Sequence, residues 1–479
     1  MGNPRFPSLY QINTRVWLHG ATLDDVADAE LDRIAAQGFD WVWLLGVWET
    51  GEKEREAALA EPALIAEYRR ALPDFSERDV CGSCFAVAGY TVSRSLGGDA
   101  ALARLRERLH QRGLRLLVDL VPNHTALDHP WVLEHPEFYV HGTEADLARE
   151  PENYCRAGSA VLAHGRDPYF PGWRDTLQLN YAEPALQQAM TSELLRIAGQ
   201  ADGVRCDMAM LVLPEVFERT WGMRPWPFWP EAIERVRARN PEFVFLAEVY
   251  WDLEWELQQQ GFDYTYDKRL YDRLREGQAR PVRDHFRADA AFQGRSARFL
   301  ENHDEPRAAA TFPGEMHRAA AVLAFLCPGL RFFHQGQIEG RRVRIPVQLC
   351  RAPAEPVDQE LAAFYDRLLA CLRDPILHDG GWELLDPIPA WSGNGTWDCF
   401  LSFAWSGAGG RRVLIAVNYA ANQSQCYVRP PFSEIRGRRV RLEDRMGSAV
   451  YDRDGDEVLG RGLYLDLEAW GCHVFDVKV

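Results

Sequence analysis

The feature that most constrains this chain is a beat of short apolar runs alternating with longer amphipathic ones, sustained as far as about Gly380. Strand-like runs fall at residues 10–13, 41–45, 114–121, 204–207, 243–248, 264–266, 298–301 and 330–334. Between and behind them, helical spacing appears at 23–37, 100–112, 184–198, 230–239, 281–291, 316–326 and 358–372. In the first of these, Leu31 and Ile34 share a face and Gly38 supplies the stop. Strands that each return through a helix pair in parallel. Eight such units predict a (β/α)8 barrel, in which chemistry gathers at the C-terminal ends of the strands.

Two segments leave the beat. Residues 125–179 fall between the third strand and its helix and are rich in Pro, His and aromatics, which predicts a small inserted domain. From residue 380 onward, alternating runs such as Phe400-Leu401-Ser402-Phe403 and Leu463-Tyr464-Leu465-Asp466-Leu467 predict an antiparallel β-sandwich. The expected division is therefore a barrel from 1–124 and 180–379, an insert at 125–179 and a sandwich at 380–479. Asp452-Arg453-Asp454-Gly455-Asp456 has an acidic, calcium-like look, but the twelfth loop position is Leu463 rather than Glu, which favours a hairpin turn.

Composition narrows the partners. A net charge of -16 over 479 residues argues against nucleic acid and anionic membranes. No run is long enough to span a bilayer, and the first residues lack the apolar core of a secretory signal, so a cytoplasmic location is expected. The ten cysteines are scattered, and Cys81 and Cys84 have no second pair at zinc spacing, so reduced thiols are expected.

Polar, chemically useful residues close four of the apolar runs. Gly203-Val204-Arg205-Cys206-Asp207-Met208 places a guanidinium and a carboxylate on the same side of a short strand. The others are Leu116-Leu117-Val118-Asp119-Leu120-Val121-Pro122-Asn123-His124, Phe243-Val244-Phe245-Leu246-Ala247-Glu248, and Arg298-Phe299-Leu300-Glu301-Asn302-His303-Asp304. Asp207 and Glu248 end neighbouring strands, where two carboxyls can face one another. An arginine beside Asp207 favours its ionised form, whereas the apolar run before Glu248 favours a raised pKa.

In this order and spacing, together with Gln178-Leu179-Asn180, these stretches resemble the signature regions of the α-amylase family of retaining glycoside hydrolases and transglycosidases, glycoside hydrolase family 13. The resemblance implies Asp207 as nucleophile, Glu248 as acid/base, and Asp304 as a third carboxylate gripping the sugar at the cleavage point. It also implies that His124 and His303 bond that sugar, that Tyr90 stacks on it, that Arg205 belongs to the substrate site, and that Asp119 supports the site from below. Asn123 in this family either ligates a structural calcium or braces the insert, and bracing is the expectation here. No organic cofactor is implied.

The chain departs from the family pattern at two places. Arg94 stands where an Asp is common four residues after Tyr90, and Met210 and Leu211 stand where long-glucan enzymes place Lys-His. The expected function is a retaining α-glycosidase or α-transglycosylase acting on short α-glucosides or oligosaccharides. The alternatives are a glucosyl- or maltosyltransferase with a phosphorylated donor, whose phosphate Arg94 or Arg307 would meet, and a non-catalytic sugar-binding relic of the fold. Oligomeric state is not legible.

Overall fold

The computed structural model describes residues 4–479. Eight parallel strands close into a barrel: β1 (Ser8–Asn13), β2 (Trp41–Leu45), β3 (Arg115–Leu120), β4 (Gly203–Cys206), β5 (Val244–Ala247), β6 (Tyr264–Tyr266), β7 (Ser296–Arg298) and β8 (Leu330–His334). Their order around the barrel is β1-β8-β7-β6-β5-β4-β3-β2. β4 lies between β3 and β5, with Arg205 in register with Asp119 on one side and Leu246 on the other. That register brings Asp119, Arg205, Asp207 and Glu248 to one end of the barrel.

Three expected elements of the barrel differ. The seventh strand is Ser296–Arg298, not 298–301. Phe299 and Leu300 have left the ladder, and the Phe299 ring packs on Tyr266, Tyr271 and Phe332, so an apolar run that reads as strand is barrel filling. The run at 23–37 is a turn, Leu23–Asp25, followed by the helix Asp28–Ala36, because Thr22 and Asp25 cap each other reciprocally and close the first turn. The run at 281–291 likewise splits into Ala279–His285 and Ala290–Gly294, the second capped by Asp289.

The segment after β2 is a further excursion that the sequence pattern did not announce. It carries the helices Lys53–Ala60 and Pro62–Ala71 between two antiparallel paired strands, Trp48–Thr50 and Val87–Val92. The segment after β3 pairs His124–Ala126 with Thr176–Gln178 and Tyr154–Ala157 with Ala160–Ala163 before the helix Pro184–Gln200.

Beyond the barrel lie β9 (Gly381–Leu385), β10 (Phe400–Ser406), β11 (Arg412–Asn418), β12 (Ser424–Val428), β13 (Arg439–Asp444), β14 (Val450–Asp454), β15 (Leu463–Leu467) and β16 (Cys472–Lys478). They form a six-stranded sheet, β9-β10-β11-β16-β13-β14, faced by the pair β12-β15. Alternation along β11 serves both neighbours: Leu414 and Ala416 enter the core between the sheets, while Val413, Ile415 and Val417 join the barrel's core. Trp405 and Tyr419 add hydrogen bonds to the barrel carbonyls of Leu326 and Leu274, at 2.8 and 2.7 Å. The expected hairpin turn at 452–456 is instead the end of β14 running into the helix Gly455–Gly460, because the Asp454 side chain accepts from the Glu457 N–H as an N-cap.

Candidate active site

At the C-terminal mouth of the barrel lies a pocket of about 320 Å³ whose wall includes Asp207, Glu248, Asp304, His124, Phe85 and Tyr250. Asp207 and Glu248 are the first residues past β4 and β5. Each is tied to the ladder it has just left, Asp207 N–H to Leu120 O at 2.8 Å and Glu248 N–H to Cys206 O at 3.0 Å. Their carboxylates are bridged by one guanidinium: Arg205 donates from Nη1 to Asp207 Oδ1 and from Nη2 to Glu248 Oε2, both at 2.6 Å.

Arg205 itself is fully buried, beneath the pocket and over the rings of Trp43, Phe85 and Tyr266. It therefore holds the two carboxylates and offers nothing to a substrate, a correction to its placement among substrate-binding residues. Asp119 is buried one step further down. Its carboxylate accepts from Trp43 Nε1 at 3.0 Å and from the Gly46 N–H at 2.8 Å, which braces the end of β2. It supports the floor from below and does not reach the pocket.

Glu248 is the most heavily supported carboxyl. The Met208 N–H donates to Oε2 at 2.8 Å and the Tyr250 hydroxyl to Oε1 at 2.8 Å. Met208 reaches it by adopting a left-handed backbone, φ 41°, a strained state for a side-chain-bearing residue and one that recurs where geometry is imposed by function. Burial, with the neighbouring charges of Asp207 and Asp304, pushes Glu248 up to about 7 against the pull of Arg205. Burial also raises Asp207, with Arg205 opposing.

Asp304 opens onto the pocket, its side chain 45 % exposed while protein surrounds it on the other sides. Burial there is outweighed by His303 and Arg205, and the carboxyl falls to about 2. The Gln11 amide donates to His303 Nδ1 at 2.7 Å, which leaves the ring proton on Nε2, 3.0 Å from Asp304 Oδ2. His124 is held neutral by burial, its pKa falling to about 3, and its ring sits 5.2 Å from that of Trp173.

Tyr90 is not in the pocket. Its hydroxyl donates to Val121 O and accepts from Val121 N–H, both at 2.9 Å, and its ring lies against the edge of Trp48. Both ends are spent inside the core, so the expected sugar-stacking role fails for Tyr90. Phe85, on the same excursion, presents its ring to the pocket beside His303, at 5.4 Å between centroids. Met210 and Leu211 are buried in the turn Ala209–Val212 and form no part of the wall, so the departure from Lys-His at these positions does not reach the pocket. The residue that lines the pocket there is Met208.

Asn123 and Gln178 form a reciprocal amide pair, Gln178 Nε2 to Asn123 Oδ1 at 3.0 Å and Asn123 Nδ2 to Gln178 Oε1 at 3.2 Å, tying the end of β3 to the returning strand of the insert. That donor set does not fit calcium, since the Asn123 oxygen already accepts from an amide and no carboxylate joins it. Among the described residues no group of three or more His, Cys, Asp and Glu is arranged to hold a metal ion. Arg94 is exposed outside the pocket, and Arg307 is consumed by Glu301 at 2.5 Å and His334 at 2.9 Å, so neither meets a ligand there.

Phe85 and Tyr250 are two of the pocket residues that the motifs did not announce. Tyr250 stands two residues past Glu248, a position on the same side of an extended chain, and was findable on that ground. Phe85 sits on an aperiodic loop with no such signal.

A closed parallel barrel with paired carboxylates at the ends of β4 and β5 is the framework of a glycosidase or transglycosidase. The chain belongs to the α-amylase family: the model of the alpha amylase catalytic domain matches residues 30–346. It is 28% identical over 271 residues to Alpha-amylase MalA of Haloarcula japonica, covering 53% of this chain and 36% of that one. It is also 28% identical over 380 residues to an alpha-1,4-glucan:maltose-1-phosphate maltosyltransferase of Burkholderia pseudomallei, covering 74% of this chain and 28% of that protein. The chain thus spans about a third of the length of these curated relatives. In fold it is similar to a noncanonic maltogenic alpha-amylase, AmyB, from Thermotoga neapolitana, with a TM-score of 0.73 at 19% identity over 99% of both chains. No helix among the described residues is long and apolar enough to cross a membrane.

Proposed function

We propose that this enzyme is a retaining α-glycosidase or α-transglycosylase acting on α-glucosidic bonds of short oligosaccharides, through a covalent glycosyl-enzyme on Asp207. The observation that carries the reading is the single guanidinium of Arg205 bridging Asp207 and Glu248. Its span plus two hydrogen bonds suits the ~5 Å carboxyl separation that retention requires. Glu248, raised to about 7, gives a proton to the departing oxygen, while Asp207, bonded by Arg205 at 2.6 Å, attacks the anomeric carbon. Water or a sugar hydroxyl, deprotonated by the same Glu248, then releases the sugar.

Asp304 and the Nε2–H of His303 grip hydroxyls of the sugar undergoing cleavage, and His124, held neutral by burial, adds no cation beside the developing oxocarbenium. Phe85 is the apolar face on which that sugar rests. Asn123 serves as a brace and the reaction uses no metal or organic cofactor. Since Met210 and Leu211 do not face the pocket, the preference for short substrates rests on Met208, which lines it and offers an acceptor-side hydroxyl no strong hydrogen-bond partner. Neither Arg94 nor Arg307 favours a phosphorylated donor, and the intact set of three carboxylates with Arg205 speaks against a non-catalytic relic.

The test is the leaving-group dependence of Glu248→Gln. Loss on a natural disaccharide should exceed loss on an activated aryl α-glucoside by on the order of 10²-fold or more, because only the poor leaving group needs a proton. Equal losses would remove Glu248 from acid catalysis.

A further inference from the structure

Two loops that meet beside the pocket each carry a cysteine. Cys81 lies on the excursion after β2 and Cys350 on the segment after β8, and there Val80 and Leu349 form an antiparallel bridge. The bridge is flanked by Cys81 N–H to Gln348 O at 2.8 Å and Cys350 N–H to Asp79 O at 2.9 Å. Side chains alternate across such a pairing. Val80 and Leu349 are buried together with Tyr68 and Leu72, so Cys81 and Cys350 project from the opposite face, and both are partly exposed.

On that face the Cys81 thiol donates to Gln348 O at 3.2 Å and the Cys350 thiol to Asp79 O at 3.4 Å, each along the rung that carries its own N–H bond. Arg15 reaches in with Nη1, 3.4 Å from Cys81 Sγ, while the same nitrogen donates to Gly82 O at 3.0 Å. The neighbouring Cys350 thiol, with Arg15, outweighs burial and brings Cys81 down to about 6, whereas Cys350 is raised. The guanidinium stands at the Cys81 sulfur and not at Cys350, which fits Cys81 for the attacking role and Cys350 for the resolving one. Elsewhere Cys84, Cys206, Cys327, Cys371 and Cys426 are buried, and burial pushes Cys155 up to about 11 and Cys472 up to about 12.

We propose that Cys81 and Cys350 form a peroxide-responsive pair that closes to a disulfide and clasps the loops after β2 and β8 at the rim of the carboxylate pocket. The Cys81 thiolate attacks one oxygen of hydrogen peroxide, the O–O bond breaks, and protonation of the departing hydroxide leaves Cys81 sulfenic acid and one water. The Cys350 sulfur then attacks the sulfenic sulfur, and the displaced hydroxide takes up the Cys350 proton and leaves as the second water. Two thiols and one peroxide become one disulfide and two waters, with both electrons accounted for; a thiol reductant reverses the change. The clasp acts on the pocket wall directly, because Ser83 and Phe85 follow Cys81 by two and four residues and Gln348 precedes Cys350 by two, and all three line the pocket.

The experiment is titration of the reduced, full-length protein with hydrogen peroxide, followed by alkylation and peptide mapping, with Tm measured in parallel. The expected result is loss of two of the ten thiols, one Cys81–Cys350 linked peptide, a higher Tm, and full reversal by dithiothreitol. In Cys350→Ser a dimedone adduct should appear on Cys81, and in Cys81→Ser residue 350 should remain a thiol at the same peroxide dose. Oxidation of Cys155, Cys399 or Cys472 before Cys81, oxidation of Cys350 in Cys81→Ser, or a sulfenic Cys81 that never links to Cys350 would each overturn the proposal.

Discussion

Replacing Arg205 with methionine removes the one group that both facing carboxylates share. The guanidinium is fully buried and gives one hydrogen bond of 2.6 Å to each of Asp207 and Glu248. Its loss leaves two carboxyls in a chamber whose floor already holds Asp119. Breaking a buried ion pair by deleting one partner costs about 3–5 kcal/mol. With ~2.1 cal/mol/K per residue, unfolding a chain of this length carries an entropy of about 1 kcal/mol/K, so Tm should fall by about 3–5 °C at pH 8.

The sign of the pH dependence follows from burial. Asp207 and Glu248 are raised in the folded protein, so the stability that comes from holding them protonated is present at low pH and lost as pH rises, for Glu248 between its ordinary 4.5 and about 7. Without Arg205 both move further up. The deficit of Arg205→Met should therefore be larger at pH 8, where the carboxyls are driven to ionise unpaired, than at pH 5, where protonation relieves them. Calorimetry of both proteins at the two pH values is the assay. A deficit equal at both, or larger at pH 5, would refute the shared-guanidinium account.

Phe85→Ala should lower kcat/KM by roughly 10- to 100-fold, the worth of ~1.5–3 kcal/mol of apolar contact, whereas Tyr90→Phe should leave kcat/KM unchanged and lower Tm, since its hydroxyl serves only Val121. The reverse pattern in kinetic assays on a short α-glucoside would return the stacking role to Tyr90. The alkaline limb of the kcat/KM profile should fall near pH 7 as Glu248 deprotonates. Tyr250→Phe removes a donor to the carboxylate, so that limb should move up by roughly one unit; a downward move would contradict the assignment. Exhaustive chelation should leave Tm and activity unchanged, as an amide brace at Asn123 requires, and a calcium-dependent rise in Tm would reject the brace.

Most of the barrel was legible because its strands are continuous apolar runs and its helices are amphipathic, so the two periods separate cleanly. Asp207 and Glu248 were legible for the same reason, as polar residues that end such runs. What was hidden has a common cause: direction. Tyr90, on the strand Val87–Val92, and Phe85, just before it, are both aromatics on one excursion, and the bonds of Tyr90 to Val121 decide that it is Tyr90 that turns into the core. Met210 and Leu211 read as taking the place of a substrate-facing Lys-His from their spacing to Asp207, but the left-handed Met208 swings the chain so that they enter the core. Phe299 and Leu300 read as strand because barrel filling and strand share a composition.

The most direct measurement is capture of the covalent intermediate. A 5-fluoro glucosyl fluoride destabilises the oxocarbenium-like transition states of both steps while its leaving group still departs, so a retaining enzyme accumulates glycosylated protein. Digestion and mass spectrometry should place the sugar on the peptide containing Asp207, with no label in Asp207→Asn. A label on Glu248 or Asp304, or turnover with inverted product and no accumulated adduct, would contradict the account.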